Sequence, residues 1–272
     1  MRDWFKAAAI NLGKALATAI AITLIVFALL KAAIPSTQFL PWLGKILAGD
    51  FGYSRAYSAP VVAAFFERLP FSLELIVVSF AIALTVGFVI AFLSSRSPSS
   101  VLSRIAGYVV LALESVPVFW LALMLQVLVA LFGHGFPYDR FASSDRFDLD
   151  DRLSHLILPA VTLALFQIQP LMEYARSRRT AAGRSTAARD WVAGAFATFA
   201  WRLPAVIGAT FIIEPIFAWP GAGRLVFIAA DQGDFRLFSG VLLLAALCVL
   251  TLRFIAETFL PDDPFGVAND VA

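Results

Sequence analysis

Six runs of about twenty or more mostly apolar residues divide this sequence, at about 15–34, 69–93, 105–132, 154–174, 192–217 and 237–260. A hydrocarbon layer about 30 Å thick takes roughly twenty such residues per helical crossing. Lipid offers the backbone no hydrogen bonds, so each run has to satisfy its own as a helix. With 60 % hydrophobic and 15 % charged residues in 272, and a strongly positive mean hydropathy, little remains from which to build a water-soluble domain. The sequence predicts an all-α membrane protein with six transmembrane helices in one bundle, without internal repeats.

The first run, ALATAIAITLIVFALLKAAI, is too long for a cleaved leader and has no small-residue cleavage site, so it reads as a retained helix. Basic residues set the expected orientation. Arg2, Lys6 and Lys14 precede the first run, Arg96 and Arg104 lie in the loop after the second, and Arg176, Arg178, Arg179, Arg184 and Arg189 follow the fourth run. Both termini and these loops are expected inside the cell. The stretch 133–153, with Asp139, Asp145, Asp148, Asp150 and Asp151, is expected outside. Between runs one and two, PWLGKILAGDFGYS contains a partly apolar piece with Trp42 and Tyr53, expected as a short interfacial helix and turn on the outer face.

Charges inside the runs are costly and usually face protein or water. Glu114 lies roughly 15 Å into the third run by helical rise, beside Ser115 and Pro117. It reads either as a glutamate hydrogen-bonded to a neighbouring helix or as a carboxylate lining a pathway. Glu74 and Glu214 lie near outer ends, where they can snorkel, while Arg253 and Glu257 stand four apart and form a helix-surface pair. Pro117, Pro170 and Pro204 are expected to kink or open their helices.

The chain carries no GxxxxGK[ST], HExxH or GxSxG motif, and its histidines, His134 and His155, are far apart. Cys248 is the sole cysteine, which excludes an internal disulfide. An enzymatic reading finds no constellation of residues to support it, and no cofactor is expected in this chain.

Ordered segments then carry a resemblance. FLPWLGKILAGDFGYS, with Gly49, Asp50, Phe51, Gly52 and Ser54, is followed by ERLPFSLEL, ESVPVFWLALML, HLILPAVTLAL and EPIFAWPGAGRL, then GDF, SGV and a terminal DPFG. The set resembles the permease subunits of bacterial ABC importers for dipeptides, oligopeptides and nickel, over nearly the whole chain. The resemblance implies a type I importer bundle in the plasma (inner) membrane, N-in and C-in. Its parts are an N-terminal helix and external segment at 1–68, a permease core at 69–260 and a cytoplasmic tail at 261–272. It also implies a second permease subunit, two cytoplasmic ATPases that hold ATP and Mg, an external solute-binding protein and contact with membrane lipid, but no nucleic acid. The implied solute is a peptide or a related small solute such as a nickel chelate.

On this resemblance the outer gate and docking surface comprises Gly49, Asp50, Gly52, Glu214, Trp219, Pro220, Gly221, Gly223 and Arg224. Trp219 is expected in the headgroup zone, with Pro220 and the two glycines permitting a tight reversal. A plain connecting hairpin is the alternative. Glu114, Ser115 and Pro117 are the expected pathway residues. ATPase coupling falls to Arg176, Arg178, Arg179, Gly183, Arg184 and Asp190. Here the chain departs from the family, because EYARSRRTAAGRSTAARDW has no clean EAAxxxG spacing and is shorter by about one coupling helix and its connector. The piece fits an ATPase groove or serves as a solvated basic loop. Two other readings stand beside the importer: a transporter driven by an ion gradient, and a non-transporting degenerate paralogue.

Overall fold

Apolar runs long enough to span a bilayer become long helices because a helix alone satisfies their backbone internally. The computed structural model of the chain describes residues 2–96, 101–132, 149–182 and 188–259. In order these form α1 (Arg2–Ala33), α2 (Phe39–Leu47), α3 (Val61–Arg96), α4 (Val101–Ser115), α5 (Val118–Phe132), α6 (Leu149–Ala182), α7 (Ala188–Ile216), α8 (Ala222–Asp231) and α9 (Phe235–Phe259). Between α2 and α3, β1 (Tyr53–Ser54) and β2 (Ala59–Pro60) pair antiparallel, with Tyr53 opposite Pro60 and Ser54 opposite Ala59.

Five of these helices are long and apolar enough to cross a membrane, over Ala8–Ala33, Val61–Ile90, Arg152–Met172, Gly194–Ile216 and Phe235–Thr258. The remaining run differs from the single helix expected at 105–132. It is broken at Val116 and Pro117 into α4 and α5, and α5 is shorter than a crossing. Proline removes a backbone donor and disfavours helical geometry at the residue before it, so the break falls where the chemistry puts it. Helix α3 begins at Val61, eight residues before the expected start, and runs through Pro70.

Two compact units form. The first joins Met1–Ser72 to Pro220–Phe259, and the second holds Leu73–Trp219. In the first, α1 lies along α9, where the Asn11 side-chain amide donates to the Glu257 carbonyl at 3.2 Å. On α9 itself Arg253 Nε donates to Glu257 Oε1 at 2.7 Å, the pair expected from their spacing. Phe27 of α1 packs edge-on to Phe39 and close to Trp42 of α2, with ring centroids 4.9 and 5.2 Å apart. Helix α2 keeps Leu40 and Leu47 exposed, an apolar surface suited to an interface.

In the second unit α6 is central, since 76 % of its spanning window is buried, against 33 % or less for the other spans. Ala83, Ala164, Ile168, Leu171, Met172 and Ala195 make a core there. Gly194 lets α7 close on Tyr174 of α6: a Cβ at that position would lie 1.9 Å from the ring. Polar groups couple the helices too. The Gln167 amide donates to Ser79 Oγ at 2.8 Å, and Arg152 Nε donates to Glu74 Oε2 at 3.0 Å, so Glu74 is ion-paired.

Candidate functional site

Three helices in the neighbourhood of the signature segments end the same way. At the end of α2, Gly49 takes φ 84°, with its N–H bonded to the Ile46 carbonyl and that of Asp50 to Lys45. At the end of α8, Gly233 takes φ 66°, with N–H groups of Gly233 and Asp234 bonded to Ala230 and Ala229. This left-handed stop caps the last carbonyls of a helix, and glycine adopts it without a Cβ penalty. At the end of α7 the same pattern recurs, with Ala218 at φ 54° and with the N–H groups of Ala218 and Trp219 bonded to Pro215 and Glu214. The left-handed residue of the WPG turn is therefore Ala218 rather than a glycine. Gly221 sits in extended backbone at φ −87°, ψ −178°.

Each Gly-Asp pair goes on to a second task. Asp50 Oδ1 accepts from the Gly52 N–H at 2.9 Å, and Gly52, at φ 96°, gives its carbonyl to the Val61 N–H at 3.0 Å. Asp234 reaches further. Its Oδ2 accepts from Ser54 Oγ at 2.8 Å and from the N–H groups of Arg55 and Ala56 at 2.8 and 3.2 Å. Its Oδ1 caps α9 by accepting from Leu237 N–H at 3.1 Å. Ser54 Oγ in turn accepts from the Tyr57 N–H at 3.1 Å. The carboxylate thus clasps the β1 turn to the joint between α8 and α9. Burial pushes the Asp234 pKa up, but the hydrogen bonds from Leu237, Ser54, Ala56 and Arg55 outweigh it and hold the group below its ordinary 3.8. Gly240 of the SGV segment completes the fit, because a Cβ there would meet Val61 Cγ1 at 2.6 Å and the Phe51 carbonyl at 3.2 Å.

Two cavities flank the clasp. One, of about 300 Å³, is lined by Trp42, Lys45, Asp50, Gly52 and Arg236. The other, of about 180 Å³, lies between Arg68 and Arg224, with Tyr57, Pro220 and Gly221. The Arg68 guanidinium lies 5.8 Å from the Tyr57 ring centre, and the Ala222 N–H at the start of α8 donates to Ser72 Oγ at 2.9 Å.

The first unit thus gathers Gly49, Asp50, Gly52, Pro220, Gly221, Gly223 and Arg224, while Glu214 and Trp219 belong to the second. Trp219 is 1 % exposed and Glu214 fully buried. The expected headgroup position of Trp219 and the snorkelling of Glu214 are both replaced by burial within protein, since the helix stop turns residue 219 back inward.

No family model matches the chain. Among curated proteins it is 31 % identical over 256 residues to a protein of Brucella abortus described as a peptide transport system permease, covering 85 % of this chain and 78 % of that one. The chain belongs to the peptide-transport permease family. The oligopeptide transport system permease protein AppB of Bacillus subtilis is 29 % identical over 81 % of the chain and 76 % of its own length. The dipeptide transport system permease protein DppB of Escherichia coli K12 is 24 % identical, over 85 % and 79 %. The permease is a multi-pass protein of the bacterial inner membrane and a transport subunit of a peptide-type ABC importer.

In the permease, Glu114 and Ser115 end α4 and Pro117 lies in the break. Arg176, Arg178 and Arg179 lie on the last turns of α6 and Asp190 on the first turn of α7, whereas Gly183, Arg184, the tail 261–272 and most of the acidic stretch 133–153 lie outside the described residues. Among the described residues no group of His, Cys, Asp or Glu is arranged to hold a metal. Two residues escaped the sequence reading. Asp234 was signalled by its Gly-Asp repeat of Gly49-Asp50, and Arg202 by being a cation inside the fifth apolar run.

Proposed function

We propose that the permease carries a peptide, or a nickel chelate, inward through a gated path made with a second permease subunit. Two separate ATPases drive it and an external binding protein delivers the solute. The chain crosses the membrane six times, with α4 and α5 together making the interrupted crossing, and both termini lie inside. The observation that carries this reading is the clasp. An outer gate has to keep its shape while the helices below it move, and the Asp234 network fixes the signature segment GDFGYS against the joint of α8 and α9. The pocket between Arg68 and Arg224 gives that lip a cationic contact for an acidic face of the binding protein. Replacing Gly221 and Gly223 by Val should abolish most uptake while membrane assembly persists; unchanged uptake would remove the gate from the account.

Coupling falls to the inner ends of α6 and α7. These helices leave only residues 183–187 between them, which supports a coupling segment shortened relative to the family and built from the helix ends, with Arg176, Arg178, Arg179 and Asp190 beside Gly183 and Arg184. An ATPase would then be biased through contacts that differ between its two states. Changing Arg178, Arg179 and Arg184 to Glu should release the ATPase during co-purification. If association is unaltered, the same short connection favours the degenerate, non-transporting reading.

A further inference from the structure

Arg202 lies on α7, eight residues past Gly194 and fourteen before Ile216, so about 12 Å and 21 Å from the two ends of its spanning segment. A cation at that depth usually snorkels to the interface or marks a functional site. This one is partly buried. Its guanidinium lies 5.9 Å from the ring centre of Phe166, within α6, and its Nε has no hydrogen-bond partner. Beside it, Gln167 Oε1 and Thr198 Oγ1 are also without partners, on side chains 4 % and 1 % exposed. The three residues line one small cavity with Phe80, Pro170 and Phe199.

Unmet polar atoms are costly in such a place, because they have given up water without gaining a partner. Their chemistry is specific. Arginine stays charged under all physiological conditions and its N–H fork fits a carboxylate, while Gln167 Oε1 can only accept, as from a peptide or amine N–H. Gln167 cannot turn to satisfy itself, since its amide nitrogen is committed to Ser79 Oγ and the Leu163 carbonyl. The geometry points to a binding site for the carboxyl-terminal group of the solute, with Arg202 receiving the carboxylate, Thr198 sharing it and Gln167 taking an adjacent N–H. The cavity, about 10 Å³, has room for no more than one water, so the solute enters only when α7 moves away from α3 and α6. Proline supplies the joints for that motion. Pro170 removes the helix bond that residue 166 would accept, and Pro204 does the same for residue 200.

This inference rests on the reading of the permease as a peptide importer, and its test separates the two. In the complete importer, uptake of radiolabelled alanyl-alanine is compared with that of its carboxyl-terminal amide, in wild type, Arg202→Gln and Arg202→Lys. The binding protein is the same throughout, so its own preference cancels in each variant-to-wild-type ratio. Arg202→Gln should lower uptake of the free acid roughly tenfold to a hundredfold and leave the amide within about twofold, with Arg202→Lys between. Equal loss of both peptides, or undiminished uptake of the free acid, overturns the site. Should Arg202→Gln fail to assemble by size exclusion, the Arg202→Lys ratio is read by the same criterion. A wild-type importer that moves neither peptide instead counts against the peptide half of the parent reading, on which the site depends, and overturns the site with it.

Discussion

Replacing Asp234 by Ala removes the acceptor of four donors at once: the Ser54 hydroxyl and the N–H groups of Arg55, Ala56 and Leu237. Ser54 and Leu237 are fully buried, so each loses its partner without gaining water, at about 1–3 kcal/mol apiece. Arg55 and Ala56 are exposed and recover hydrogen bonds from solvent. The helix cap is already counted in the Leu237 bond. Because contributions to one network do not add, the expected cost is about 3 kcal/mol, or roughly a hundredfold rise in opening of the clasp. The Val61 N–H reports this cleanly, since it bonds the Gly52 carbonyl and not Asp234. Its hydrogen exchange in the detergent-solubilised permease should accelerate about a hundredfold in Asp234→Ala and by less in Ser54→Ala. The double variant should exceed Asp234→Ala only slightly. Val61 protection within threefold of wild type would show that the carboxylate does not hold the segment.

The pH dependence has a definite sign. The Asp234 pKa is lowered on folding, so its contribution is complete above the unfolded value, about 3.9, and is lost as pH falls through the lower folded value. Val61 protection should therefore be flat from pH 7 to 5 and decline only below about pH 4. A fall near pH 6 would assign the clasp to another group. Gly240→Ala should destabilise by about 1–3 kcal/mol through its contact with Val61, and Val61→Ala should restore part of the loss in thermal unfolding. Ala218→Gly should stabilise by up to about 1 kcal/mol, because it relieves a left-handed residue at the end of α7; a lower melting temperature would contradict that. Gly194→Ala should impair folding, while Gly208→Ala, with open space around it, should be close to neutral when both are read by yield and melting temperature.

What the sequence made legible is what depends on neighbours in the chain. Apolar length marked the spanning helices, Pro117 marked the break, and the spacing of Arg253 and Glu257 marked their pair. The start of α3 was hidden because Glu67, Arg68 and Pro70 look like loop residues, although in a bilayer-spanning helix the first turns can project beyond the apolar layer. Trp219 was misplaced because an interfacial preference is statistical, whereas its burial follows from a turn set by Ala218. Arg202 was lost in an average over a long apolar run. Asp234 could be suspected from its dipeptide but not paired, since nothing local in its surroundings names Ser54.

Ser54 and Asp234 are 180 positions apart. At about 5–20 residues per second, a ribosome takes roughly ten to forty seconds to make the second after the first. During that interval the early loop around Ser54 has nothing to latch onto. A message cut short before codon 234 yields a product whose turn at Ser54 stays unlatched.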